Sequence, residues 1–318
     1  ISSSNQIWQW KELMTLISMI TAMIMLIPLS KTLLTFGVFK SLVKEIPKAL
    51  PRQNKNSKTI FWIIFFLGAL IACFSYIPMV DAAKYIFEDA TNRRMTWFYP
   101  QRMNNSVMLW AAFNGIIGII LFTLSFQLFG KKHGVQSSSW GLKADSKYIL
   151  KTIILSLLVF TLYYSFLFLI YYIFHVDYRF WFMGVRVFQP EMLLVLAMYA
   201  PLFFIFFFSN SLRVNGAMRI EGQPEWKSMM IAGIANSLGL FFIILIQYIT
   251  FAKTGTVFWT TNWLSVNLLF AIVPMMFVLP YFNRYFFYMT GRVYLGPMVT
   301  TLVFIMILST NTVVYLPI

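Results

Sequence analysis

The run YILKTIILSLLVFTLYYSFLFLIYYIF, Tyr148–Phe174, holds a single charged side chain, Lys151. The hydrocarbon core of a bilayer is crossed by about 20 mainly apolar residues in helical form, so this run predicts a spanning helix. It has no alternation of period two, which excludes a strand of an outer-membrane-type barrel. The next residues, HVDYRFWFMGVRVFQP (His175–Pro190), change character at once. Asp177, Arg179 and Arg186 are interleaved with Tyr178, Phe180, Trp181, Phe182 and Phe188. Amphipathic rings beside arginines suit the headgroup level, where one end of each side chain is wet and the other apolar.

Seven further windows pass the same test. They are Leu13–Leu29, with a continuation past Pro28 and Lys31 towards Phe39, then Thr59–Val80, Val107–Phe129, Met192–Ser209, Met229–Phe251, Leu264–Phe282 and Pro297–Tyr315. The expected fold class is therefore an all-α integral membrane protein, a kinked bundle of about eight transmembrane helices. Only 11% of the 318 residues are charged and the mean hydropathy is +0.74. Soluble domains carry about 25% charged residues, so much of this surface is expected to face lipid. No polar stretch is long enough for a second core, which makes residues 1–318 one polytopic domain. Cys73 is the lone cysteine and has no intrachain partner for a disulfide.

Helix-end chemistry supports these windows. Asp145 and Ser146 precede the fourth as N-caps do, and Gly130 can take the left-handed stop position after the third. Pro190 and Pro297 stand at helix starts, where the missing N–H costs nothing. Pro28, Pro78, Pro201, Pro274 and Pro280 lie inside windows and predict kinks.

The net charge of +15 lies mostly in short loops. Lys40, Lys44, Lys48, Arg52, Lys55 and Lys58 follow the first window; Lys131, Lys132, Lys143, Lys147 and Lys151 follow the third. Arg213, Arg219 and Lys227 follow the fifth, and Arg284 and Arg292 the seventh. The alternate loops carry fewer: Lys84, Arg93, Arg94 and Arg102, then Arg179 and Arg186, then Lys253. Cytoplasmic loops carry the excess of lysine and arginine, so the richer set is expected inside. In a cell membrane this leaves both termini and His175–Pro190 extracytoplasmic. Anionic lipid headgroups become the expected counter-charge, and nucleic acid is disfavoured by the lack of a recognition element. The second loop, Asp81–Asn105, mixes acids, arginines and Trp97, Phe98 and Tyr99, as an interfacial segment would.

Motifs for chemistry are missing. The chain has no GxSxG elbow, no HExxH pair and no GxxxxGK loop. With two histidines, His133 and His175, far from Cys73, no metal site or cofactor is expected. His133 in GKKHG reads as a turn residue. The polar candidates inside windows are Asn114, Asn236, Gln247 and Asn267. They either line a cavity or act as interhelical hydrogen-bonding groups beside small residues such as Gly233 and Ser237; the second role is the commoner. The cores carry almost no carboxylate, which disfavours an ion-coupled pump but leaves channels and transporters of apolar or amphipathic substrates open. A lipid-modifying site built on Asp177 and His175 is a weaker alternative.

Three patches, NQIWQWKE (Asn5–Glu12), WGLKADSKYILKT (Trp140–Thr152) and DYRFWFMGVRVFQP (Asp177–Pro190), resemble the membrane region of a group of Gram-positive bacterial α/β-hydrolase-like proteins. In that group an extracytoplasmic serine-hydrolase-type domain precedes a multi-helix membrane domain. The resemblance implies that any hydrolase chemistry resides ahead of Ile1, whose place at the start of the sequence fits such an arrangement. No catalytic residue transfers to this chain. What it implies here is a non-catalytic anchor or partner, with Trp8, Trp10, His175, Asp177, Arg179, Trp181 and Arg186 as an external platform.

Overall fold

The computed structural model describes residues 24–45, 66–68, 70, 71, 74, 102–125, 141–174, 190–218, 226, 227, 229–238 and 273–303. All regular structure among the described residues is helical, in agreement with the all-α expectation. In chain order the elements are α1 (Ile24–Thr35), α2 (Gly37–Lys40), α3 (Arg102–Ser125), α4 (Ser146–Phe174), α5 (Pro190–Met218), α6 (Met229–Leu238), α7 (Val273–Thr290) and α8 (residues 295–303).

The ends of these helices follow from local chemistry. Asp145 caps α4: its carboxylate oxygen accepts the Tyr148 amide at 3.2 Å while its carbonyl accepts the Ile149 amide. α1 runs through Pro28 and Lys31, as the extended first window anticipates. It stops where Phe36 turns extended (φ −68°, ψ 140°), and α2 restarts at Gly37. α5 and α7 continue through Pro201 and Pro280. α7 ends at Gly291, whose φ of 63° is the left-handed stop conformation, with its amide donating to the Phe287 carbonyl at 2.7 Å. Gly130 and Pro78 fall outside the described residues.

α4 shows how the elements pack. Tyr148, Thr152, Leu155, Ser156, Val159 and Tyr163 recur at helical spacing and are buried. Tyr148, Leu155, Val159 and Tyr163 join Leu26, Leu34, Phe39 and Leu42 of the α1–α2 segment, Phe282 and Phe286 of α7, and Leu295, Val299 and Val303 of α8 in one core. The other faces of α4 expose Leu150, Ile154, Leu158, Leu162, Leu169 and Ile173. The buried stripe is thus more polar than the exposed one. Among the described residues Ser146–Tyr163 is the stretch long and apolar enough to cross a membrane, while Ile24–Thr35, Ala111–Leu124 and Met229–Leu238 are shorter apolar helices.

α5 is the hub of the remainder, packing against both α3 and α7. The α3 crossing is close because glycines face it. A Cβ on Gly115 would lie 2.7 Å from the backbone of Ile205 and Phe206, and one on Gly118 would overlap the Ser209 hydroxyl. Gly115→Val should destabilise the fold by about 1–3 kcal/mol through overpacking. Gly37→Ala, with nothing within 4 Å of the added methyl, serves as the neutral comparison. Thermal unfolding of the purified chains reads the difference, and equal midpoints for the two variants would contradict the crossing.

Candidate functional site

Burial of an amide without partners costs about 1–3 kcal/mol, so buried asparagines find one another or a carbonyl. Three do so at the junction of α5, α6 and α7. Asn283 of α7 donates to the Asn210 side-chain carbonyl at 3.3 Å. Asn210 of α5 donates in turn to the Asn236 side-chain carbonyl at 2.9 Å. Asn236 of α6 closes the chain by donating to the backbone carbonyl of Met276, back on α7, at 3.3 Å. Asn210 and Asn283 are fully buried and Asn236 half-buried, so the seam runs from the interior towards one edge. Among the described residues the Asn283 side-chain carbonyl oxygen has no hydrogen-bond partner, and it packs against Gly296, where a Cβ would come within 2.7 Å of it.

Small residues let the helices approach closely enough for these bonds. A Cβ on Gly233 would meet the Phe277 carbonyl at 2.5 Å, so α6 lies against the α7 backbone one turn from Asn236. Below the seam, Val214, Ala232 and Ala235 form a small apolar contact between α5 and α6.

A second polar group lies further along α5 and α7. Arg284, buried, donates to the Asn215 carbonyl and to the Tyr288 hydroxyl, each at 3.3 Å. Its guanidinium carbon sits 4.5 Å from the Tyr288 ring centroid and 5.3 Å from that of Phe287, within cation–π range. Asn215 uses its amide on the Ser211 carbonyl, and Ser211 donates to the Val293 carbonyl. Arg213, half-buried, projects between Gly68 and Gly118, the closest guanidinium nitrogen lying 3.2 Å from a Cβ built on Gly68.

The turn from Gly291 to Tyr294 ties this region to the loops. Val293 donates its amide to the Gly141 carbonyl, and the Tyr294 hydroxyl donates to the Leu142 carbonyl at 2.7 Å. Burial pushes the Tyr294 phenol above its ordinary pKa while Arg292 pulls the other way, and the net shift is upward. Gly141 (φ 71°) faces Gly291, where a side chain on either would strike backbone.

Several placements from the sequence require correction. Lys40, Lys147, Lys151, Arg213 and Arg284 were expected in cytoplasmic loops and Arg102 in an external one, but α2 runs to Lys40, α3 begins at Arg102, α4 at Ser146, α5 runs to Met218 and α7 to Thr290, so all of them lie within helices. The apolar residues Tyr285–Met289, after Arg284, are the signal that the seventh helix continues. Without these side chains the same alternate loops remain the richer in lysine and arginine. Of the sequence candidates, Asn236 stands in the seam and Asn114 is buried on α3 beside the Gly115 crossing. Gln247, Asn267, Trp8, Trp10, His175, Asp177, Arg179, Trp181 and Arg186 lie outside the described residues. Asn210, Asn215 and Asn283 were missed because the fifth and seventh windows were closed at Ser209 and Phe282. Among the described residues no group of three or more His, Cys, Asp or Glu is placed to hold a metal.

No family model, curated protein or solved structure matches this chain.

Asn210→Leu should cost about 1–3 kcal/mol, because Asn283 and Asn236 then keep buried amide groups without their partner. Asn210→Leu combined with Asn236→Leu should cost less than the sum of the single changes, since both ends of one bond leave together. Additive values in thermal or denaturant unfolding would detach the two residues from each other.

Proposed function

We propose that the chain is a multi-pass membrane domain of about eight spanning helices that anchors or partners an extracytoplasmic α/β-hydrolase-type activity without itself being catalytic. The observation that carries the membrane reading is the reversed polarity of the helices. Ser30, Thr152, Ser156, Asn210, Asn283 and Arg284 are buried, while large aliphatic side chains are exposed along α4. In water this arrangement would leave apolar surface wet and polar groups dry, opposing the usual drive for folding. In a bilayer it is the favoured one, because helices associate through polar and small-residue contacts and present hydrocarbon to lipid.

The anchoring role rests on the three patches that resemble hydrolase-linked membrane regions, and on a sidedness in which the richer basic loops face the cytoplasm. The seam fits a scaffold: its amides are engaged with one another and with the α7 backbone.

Single cysteines introduced at Lys55 and Lys131 in a Cys73→Ser background should resist an impermeant thiol reagent added to intact cells. Cysteines at Arg179 and Lys253 should react. In cells expressing the gene from its own locus, a fluorophosphonate probe should label an external serine hydrolase that is fused to, or co-purifies with, the chain. Reversed labelling would overturn the sidedness, and an absent or cytoplasmic hydrolase would overturn the partnership.

A second reading, a transporter or channel component for an apolar or amphipathic substrate, is favoured by the half-buried end of the seam at Asn236. It expects flux in proteoliposomes that falls when Asn114 and Asn236 are both changed to leucine. Proteoliposomes without flux would remove it.

A further inference from the structure

A cleft of about 420 Å³ lies between α4, α5 and α8, and no charged side chain lines it. A different face of α4 joins charge to hydrocarbon. Lys147, Lys151, Ile154, Leu158 and Leu162 follow one another at spacings of three or four residues, so they share one side of the helix. Lys147 is exposed and Lys151 half-buried, and the aliphatic side chains that follow them are all exposed. This side therefore passes from cation to hydrocarbon within about one turn.

The end of the α1–α2 segment is tied to the same lysines. Lys151 Nζ donates to Ser41 Oγ at 2.8 Å. Ser41 is the C-cap of α2, with Lys40 before it and Lys44 three residues beyond, both exposed. Phe39 and Leu42 fasten this segment into the core, while Phe36, Val38 and Val43 stay exposed beside the lysines. Gly291 fixes its far end, since a Cβ there would meet the Glu45 and Lys44 carbonyls at 2.6 and 2.9 Å. Lys40, Lys44, Lys147 and Lys151 are thus gathered around one hydroxyl from two distant stretches of chain.

Like charges four residues apart repel, and both lysine pairs have that spacing. Among the described residues no acid pairs with any of the four. Asp145, the acid ahead of α4, accepts the Tyr148 amide as a cap, which leaves Glu45, exposed at the end of the α2 segment. The Ser41 oxygen accepts from Lys151, and its own hydrogen has no acceptor among the described residues. A phosphate placed here would take donors from two lysines and one hydroxyl. A free anion would leave the aliphatic part of the face bare, and a second copy of the chain would bring its own net charge of +15.

We infer that this face binds an anionic phospholipid, its phosphate held by Lys147, Lys151 and the Ser41 hydroxyl and its acyl chains lying along Ile154, Leu158 and Leu162. Lys40 and Lys44 flank the headgroup and repel the choline of a zwitterionic lipid. The inference rests on the membrane reading and does not involve the hydrolase partnership.

Native mass spectrometry of the full chain in detergent, titrated separately with phosphatidylglycerol and phosphatidylcholine, tests it. A one-to-one phosphatidylglycerol adduct should form in preference to the phosphatidylcholine adduct, and inorganic phosphate should not displace it. Lys147→Gln with Lys151→Gln should lower phosphatidylglycerol occupancy roughly tenfold, whereas Lys147→Arg with Lys151→Arg should retain it. Lys40→Gln with Lys44→Gln leaves the bond from Lys151 to Ser41 in place and should lower the preference for phosphatidylglycerol, with circular dichroism reporting retained helix. Equal binding of the two lipids, displacement by phosphate, or an adduct indifferent to both glutamine pairs would overturn the site. The thiol-labelling pattern reads membrane insertion separately, so a failure here is distinguishable from a failure of that reading.

Discussion

The hydrogen bond between Asn210 and Asn236, extended by Asn283, sets the register of α5, α6 and α7. An aliphatic contact between helices survives a slide of an ångström or two. A buried amide does not, because the slide leaves a donor and an acceptor without partners in a medium that supplies no others. Gly233 and the small side chains Ala232 and Ala235 then follow as requirements, since only a close approach brings the amides within reach. The glycine crossing of α3 over α5 serves the same end on the opposite side of the hub.

This constraint also explains why the arginines lie where they do. A guanidinium inside a helix bundle needs acceptors and polarisable neighbours. Arg284 finds the Asn215 carbonyl, the Tyr288 hydroxyl and two ring faces. Arg213 occupies space left by Gly68 and Gly118. Both are local solutions that depend on residues from other helices. The turn between α7 and α8 collects the remaining loose ends. Gly291 ends one helix, Tyr294 holds the segment before α4, and Ser211 reaches the same turn from α5.

Much of the helical framework was legible in the sequence. The apolar run at Tyr148–Phe174, the cap at Asp145 and the passage of α1 through Pro28 are all properties of a few adjacent residues, and the structure has each of them. Helix ends marked by a change in polarity were read too early. Asn210 to Asn215 and Asn283 to Arg284 look like loop by composition, yet they are helical, with several of their polar groups bonded across to neighbouring helices. The same error hid the seam. Asn236 was singled out by lying within an apolar window, whereas Asn210 and Asn283 stood just past the ends assigned to theirs.

Composition and periodicity by themselves determined that the chain is helical, where several helices run, and that its outer faces are apolar. These follow from the hydrogen-bonding needs of the backbone and the spacing of side chains along one helix. Only the tertiary structure decided which polar residues meet. The Asn210–Asn236–Asn283 chain joins α5, α6 and α7, and the cleft between α4, α5 and α8 shares α5 alone with it. Such contacts are set by crossing geometry and close approach, quantities that depend on pairs of distant segments rather than on any one of them.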